Sequence, residues 1–242
     1  NLFSKASLYE DVKSEMILVK SSPESQKSGS FKNEDFLIGK YQVTFKEWKH
    51  VRTWAIQNYC EISEGSGLSD LHPVTNINLY DAMNWCNAKS ILNGFEPIYV
   101  SHDTSAQLFC KGKSYNISKG KGYRLPFYVE SEWAARGGIN SKRLDFEFSG
   151  SDNVNQVAWY KDNSGDKVHE VGKKKQNLLG IYDLSGNVSE WCHVFDESGV
   201  FGGRFGGSFR SDIESCKVDY VILSDDDSKR DSIFGFRLAR WP

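Results

Sequence analysis

An excess of charge of either sign is missing from this 242-residue chain, whose 30 basic and 32 acidic residues leave a formal net charge of −2. Holding nucleic acid by counterion release needs a clustered basic face, so no nucleic-acid partner is expected. No apolar run approaches the roughly 18 residues that a membrane helix needs. No signal-peptide pattern opens at Asn1, and the chain reads as soluble with no membrane span. Cysteine is sparse and scattered: Cys60, Cys86, Cys110, Cys192 and Cys216 contain no C-x-x-C pair, which makes most of them buried small hydrophobes, with one disulfide allowed. His50, His72, His102, His169 and His193 share no metal spacing such as H-x-x-x-H and read as surface or structural residues. Nucleophile elbow, phosphate loop, dinucleotide fingerprint and internal repeat are also absent. Gly202-Gly203 and Gly206-Gly207 therefore suit tight turns and close backbone approach rather than phosphate binding.

What is present is enough apolar matter for a sizeable core, 39% of residues with 14% aromatic. Residues 1 to 35 are polar and Ser-rich around one apolar strand, Met16 to Lys20, and belong to the same domain as residues 36 to 242. A strand is predicted over Phe36 to Val43. Thr44, with Glu47 three residues on, reads as a capping box ahead of a helix whose one face carries Phe45, Trp48, Val51 and Ala55. A second helix should start at Asn78, with Asp81 in its first turn, and run through Leu79, Ala82, Met83 and Cys86 to Asn93-Gly94. A hairpin (97–100 with 115–118) and a short helix ending at Gly137-Gly138 follow. Residues 139 to 180 hold little regular structure, although Val157-Ala158-Trp159-Tyr160 is apolar enough to be pinned to the core. Strands and helices do not alternate, so the fold class is α+β, with two main helices, short antiparallel strands and much irregular structure.

The last forty residues are organised differently. Arg204-Phe205-Gly206-Gly207-Ser208-Phe209 opens a stretch that closes with Gly235-Phe236-Arg237-Leu238-Ala239-Arg240, and between them neither a period of 2 nor one of 3.6 is sustained. Irregular backbone pinned at both ends is how a scaffold holds a recognition loop. The charged run Asp225 to Asp231 reads as a solvated part of that loop.

Several segments in fixed order carry a resemblance. They are Phe36 to Thr44 with Trp48, His72-Pro73-Val74, Tyr123-Arg124-Leu125-Pro126 with Glu132 to Gly138, Asn177 to Cys192, Gly206-Gly207-Ser208-Phe209 and Gly235-Phe236-Arg237. Together they resemble the formylglycine-generating-enzyme (sulfatase-modifying factor) superfamily, which implies a C-type-lectin-like fold of the elaborated kind. That fold hosts both enzymes and binders, so activity must be argued from the site. Copper-dependent members hold copper(I) with two thiolates that follow the Gly-Gly-Ser-aromatic motif by two and seven residues. Here those positions are Ser211 and Cys216, and a serine hydroxyl is too hard and too weakly acidic to replace a thiolate. The sulfoxide synthases of the superfamily carry an extra helical domain for which this chain has no room. The resemblance also implies a calcium site built from Asn187, the Val188 carbonyl and Glu190, although two side chains fall short of the about 6 to 8 oxygens calcium takes.

The C-terminal segment further resembles the variable proteins of diversity-generating retroelements, of the treponemal type, in which the diversified region is the last part of the gene and ends in Gly-Phe-Arg. Asp219, Tyr220, Ile222, Leu223, Ser224, Asp231 and Ser232 all belong to the residue menu of that diversification. Departures from the wider family fall in the same place: Phe209 replaces a Trp, Val221 an Arg and Asp227 a Pro, the last suggesting an altered or looser loop. The expected function is non-enzymatic binding of a macromolecule, foremost a protein, by a monomer with no required cofactor. Region 204–240 forms the face: Tyr220, Ile222 and Leu223 as anchors, Arg210, Lys229, Asp219 and Asp231 around them, and Ser211, Asp212 and Ser232 beside these. By resemblance it works at the cell surface or after secretion. The alternatives are the copper oxidase and a calcium-binding accessory domain.

Overall fold

The computed structural model describes residues 14–21, 34–58, 60–101, 115–139, 145–197 and 199–242. Cys110, His102, the loop between the two hairpin strands and most of the Ser-rich segment lie outside these residues. Strand β1 (Met16–Val19) pairs antiparallel with β2 (Phe36–Gly39), and β2 pairs with β9 (Ala239–Arg240), so the beginning and end of the chain close one three-stranded sheet. β2 is shorter than predicted, because after Gly39 the backbone turns to bond Arg237 and Tyr182 rather than a strand.

Helix α1 (Phe45–Gln57) starts where expected, with the Thr44 hydroxyl accepting the Glu47 amide at 3.3 Å. The reciprocal half of the box is replaced. The Glu47 carboxylate faces buried Lys89 at 3.6 Å and accepts from the Ser14 hydroxyl. Helix α2 (Leu79–Leu92) carries the full capping box instead: Asn78 accepts the Asp81 amide at 2.8 Å and Asp81 accepts the Asn78 amide at 3.0 Å. Twelve of its residues are buried, polar ones included. Asn87 is tolerated inside because it bonds the backbone of Ile98 and Tyr99 and so anchors β3 (Tyr99–Ser101), which pairs with β4 (Tyr115–Ile117). Trp48 of α1 and Trp85 of α2 stack with ring centroids 5.9 Å apart, and Phe236 meets both edge-on.

Helix α3 (Tyr128–Arg136) ends at Gly137, which takes φ 99°. Arg124, fully buried, forks onto Glu130 at 2.6 and 2.7 Å. Between residues 145 and 180 the single turn α4 (Val154–Val157) is the one helix among the described residues, and Val157, Ala158 and Tyr160 are buried around it with Phe148 and Cys216. The last sheet places the site. Its order is β7 (Val221–Leu223), β6 (Gly199–Phe205), β5 (Ser189–Asp196), β8 (Phe234–Gly235), antiparallel except for the β5 and β8 pair. Cys86, Cys192 and Cys216 are free and buried, and Cys60 is buried as well.

Candidate ligand-binding face

The β5 and β6 hairpin is long, and β7 adds a short edge with fixed register: Gly203 opposite Leu223, Arg204 opposite Ile222, Phe205 opposite Val221. Alternation sends Phe205 and Val221 inward, onto the cluster that holds Cys192 and Val218. Leu223 shares their face, but across from it stands Gly203, over which a Val194 methyl closes, so no core side chain reaches Leu223 and it is 60% exposed. Phe201, next on that face of β6, is 39% exposed, and Ile222 on the opposite face is 41% exposed. Ile222 and Leu223 are thus strand residues whose side chains are exposed on opposite faces of the sheet edge. Phe201 was missed by sequence reasoning, because its exposure depends on the hairpin running past the edge of the core.

The interval 210–233 is exposed or half-buried throughout except at Cys216 and Val218. Beneath it Gly207, Trp191 and Phe236 are buried. Of the expected face, Arg210 and Ser232 come together, Nη1 donating to Oγ at 3.5 Å, while the same guanidinium binds Asp166 at 2.6 Å. Asp212 pairs with Lys161 at 2.9 Å, and Asp219 uses its carbonyl to accept from the Tyr128 hydroxyl. Asp166 and Lys161 come from a segment that no motif ties to the face. Tyr220 is half-buried and Lys229 exposed. The loop containing Asp227 is not loose: Leu79 and Asn76 amides donate to the Asp227 and Asp231 carbonyls, Asn78 donates to the Ser228 carbonyl, and Arg230 forks onto Asp81 at 2.7 and 3.0 Å. The loop clasps the start of α2, which replaces the rigidity a proline would have given. Part of the charged run read as solvated is held by this clasp.

At the head of the interval Gly206 and Gly207 take φ 86° and 70°. A Cβ on Gly207 would lie 2.7 Å from the Ser215 carbonyl, so only glycine fits that turn. The turn points the Ser211 hydroxyl back to the Ser208 amide at 2.9 Å and to its hydroxyl at 3.0 Å. Cys216 is fully buried, and burial pushes its thiol up to about 12.

A separate polar centre sits under the face. Arg237, fully buried, donates to both oxygens of Glu190 at 2.6 Å and to the carbonyls of Gly39 and Tyr182. The Gln42 amide donates to Glu190 Oε1 and to the Val188 carbonyl, both at 3.0 Å, while its oxygen accepts from Asn187. Asn187 Oδ1 accepts the His169 amide at 3.0 Å.

Comparison with known proteins completes this picture. The family model for the sulfatase-modifying factor enzyme 1-like domain matches residues 13–242. The chain belongs to that family. Its relatives include the chaperone protein LppX of Paenibacillus barcinonensis, 35% identical over 81% of this chain and 78% of that protein. Among solved structures, CarF superposes with a TM-score of 0.78 at 27% identity, covering 96% of this chain and 95% of that one. Treponema denticola variable protein 1 superposes with a TM-score of 0.72 at 30% identity, covering 96% and 94%. The fold of this sulfatase-modifying-factor-like chain is C-type-lectin-like. Among the described residues no helix is long and apolar enough to cross a membrane.

The metals implied by the sulfatase-modifying factor family meet donors that do not suit them. Copper(I) would find one hydroxyl already hydrogen-bonded and one buried thiol that resists deprotonation. Calcium would find Glu190 spent on a guanidinium, the Val188 carbonyl on Gln42 and the Asn187 oxygen on His169. The positive charge at that centre is Arg237. No cluster of three or more His, Cys, Asp or Glu among the described residues could hold a metal.

Proposed function

We propose that this protein is a non-enzymatic binder that presents a C-terminal recognition face, residues 204–240, to a macromolecular ligand, foremost a protein, at the cell surface or outside the cell. One observation carries the reading: Ile222 and Leu223 stand outward on a strand whose register is fixed by β6, so apolar anchors are displayed by rigid backbone rather than by a mobile loop. Charged residues of both signs surround them, held in place by the Arg210 and Asp166 pair and the Arg230 and Asp81 clasp, as suits a specific interface rather than a sticky one. Likeness to a treponemal variable protein along nearly the whole chain supports a scaffold whose last segment is diversified. The copper oxidase reading gains nothing from Ser211 or Cys216 as placed.

Sequencing this locus from many isolates, with its genomic neighbourhood, tests the proposal. Substitutions are expected to crowd into the exposed positions of 210–233, to spare Cys216 and Val218 because they are core, and to have a template repeat beside a reverse transcriptase. Substitutions spread evenly over the chain would remove the display reading.

A further inference from the structure

Five cations lie between residues 204 and 233: Arg204, Arg210, Lys217, Lys229 and Arg230. Arg210, Lys217 and Arg230 have carboxylate partners, Asp166, Glu214 and Asp81. Arg204 and Lys229 have none among the described residues, and these two converge. The Arg204 guanidinium carbon lies 4.4 Å from the centre of the Phe234 ring, and the Lys229 ammonium lies 6.0 Å from the centre of the same ring. Arg204 also stacks on Trp191 at 5.3 Å. That platform is rigid: Trp191 and Phe234 meet edge to face at 5.4 Å, and the indole N–H is fixed on the Ile77 carbonyl at 3.2 Å.

Arg204 is only 9% exposed, yet its Nη1 is buried with no hydrogen-bond acceptor. The Ser224 hydroxyl, two residues beyond the Ile222 that pairs with Arg204, is likewise buried without a partner. Ring faces lower the cost of burying a guanidinium but supply no acceptor for its N–H groups. A buried charge left in this state is costly unless something brings it a counter-charge. Elsewhere among the described residues the buried arginines Arg124 and Arg237 meet that requirement with Glu130 and Glu190. Arg204 differs from both, and it lies beneath the proposed face, directly opposite Ile222.

We propose that Arg204, assisted by Lys229, is an anchoring subsite for a carboxylate, an acidic side chain of the protein partner, whose apolar neighbours rest on Ile222. The subsite deepens the binder reading and rests on it for the identity of the ligand. A carboxylate matches the planar donor edge of a guanidinium. The apolar walls, Trp191, Phe234 and Ile222, lower the local dielectric and so strengthen the pair. Asp225, Asp226 and Asp227 follow on the same connection, and the Asp227 carboxylate sits over Gly202, two residues along the Arg204 face of β6. Such a rim disfavours a group that brings two charges into the subsite itself, as phosphate does and one glutamate side chain does not.

The experiment uses the intact chain and needs no native partner. Hexaglutamate, hexaglutamine and inorganic phosphate are titrated at constant ionic strength while melting temperature is followed in the wild type and in Arg204→Met, Arg204→Lys and Lys229→Met, and the side-chain Nε–H resonance of Arg204 in the wild type and in Lys229→Met. Saturable movement of both signals is expected with hexaglutamate alone. Affinity should fall about tenfold or more in Arg204→Met, and by a smaller factor in Lys229→Met, the loss of one charge-assisted contact being the larger effect. Should Arg204→Met fail to fold, Arg204→Lys carries the test, since it keeps the charge and loses the fork. Unmoved signals in the wild type, undiminished affinity in the Arg204 variants, or phosphate binding more tightly than hexaglutamate would each overturn the subsite. None of those results bears on where substitutions fall among isolates, so the subsite and the display reading fail separately.

Discussion

Arg237→Met gives the sharpest test of the centre beneath the face. The guanidinium makes four hydrogen bonds: two to Glu190 at 2.6 Å, one to the Gly39 carbonyl at 3.0 Å and one to the Tyr182 carbonyl at 2.9 Å. The arginine is fully buried and the Glu190 side chain is nearly so. Removing one partner strands a buried carboxylate, a change that costs about 3 to 5 kcal/mol, and two carbonyls lose a donor, at most about 1 to 3 kcal/mol each if water does not reach them. A loss of about 4 to 6 kcal/mol is therefore expected, a large share of the roughly 5 to 15 kcal/mol that holds a domain folded. Glu190→Gln strands the buried Arg237 charge in turn and should cost about 3 to 5 kcal/mol, without the further loss at the carbonyls, since Arg237 keeps both of them. The assay is urea unfolding at pH 7 of wild type, both single variants and the double variant. A coupling energy of about 2 kcal/mol or more between the two sites is expected, as for residues in one network. Additivity within about 0.5 kcal/mol would refute the ion-pair account. So would a fall in the wild-type midpoint on adding a calcium chelator, since an ion bound only to the native state stabilises it.

Two further outcomes follow from other parts of the structure. Burial raises the Asp183 carboxyl from 3.8 to about 6, so the folded state holds its proton more tightly than the unfolded chain. The resulting penalty is absent below 3.8 and complete above about 6. Asp183→Asn should therefore stabilise at pH 8 by up to about 3 kcal/mol, with the gain fading toward pH 4, in urea midpoints taken as a difference from wild type; destabilisation at pH 8 would show that the charged form is the one the fold favours. His193, whose ring burial pulls down to about 3, weakens both proteins alike as pH falls below its ordinary range and cancels in that difference. In thermal melts, Leu223→Ala and Tyr220→Ala should change stability by under about 1 kcal/mol, whereas Phe236→Ala should cost about 3 to 5 kcal/mol, because it empties the edge-on site against Trp48 and Trp85; equal losses would mean that the face is core.

Signals that act within a few residues were legible in the amino-acid sequence. Asn78 with Asp81, Asn93-Gly94 and Gly137 bound α2 and the end of α3 because capping bonds join positions three or four apart and positive φ is a property of the residue itself. The positive-φ turn at Gly206-Gly207 and the burial of Phe236 were legible for the same reason. Thr44 with Glu47 shows the limit, since half of that local motif gave way to Lys89, 42 positions further on. What tertiary structure alone decided is where long-range partners land. Glu190 and Arg237 became an ion pair rather than an ion site because β5 and the C-terminal segment run side by side. Ile222 and Leu223 became surface because β6 offers β7 a glycine and an arginine where a core strand would offer apolar side chains. Arg204 became a buried cation without a counter-charge only when Trp191 and Phe234 closed around it. Pairings of this kind depend on which strands meet and in what register, and a one-residue slip would reverse every one of them.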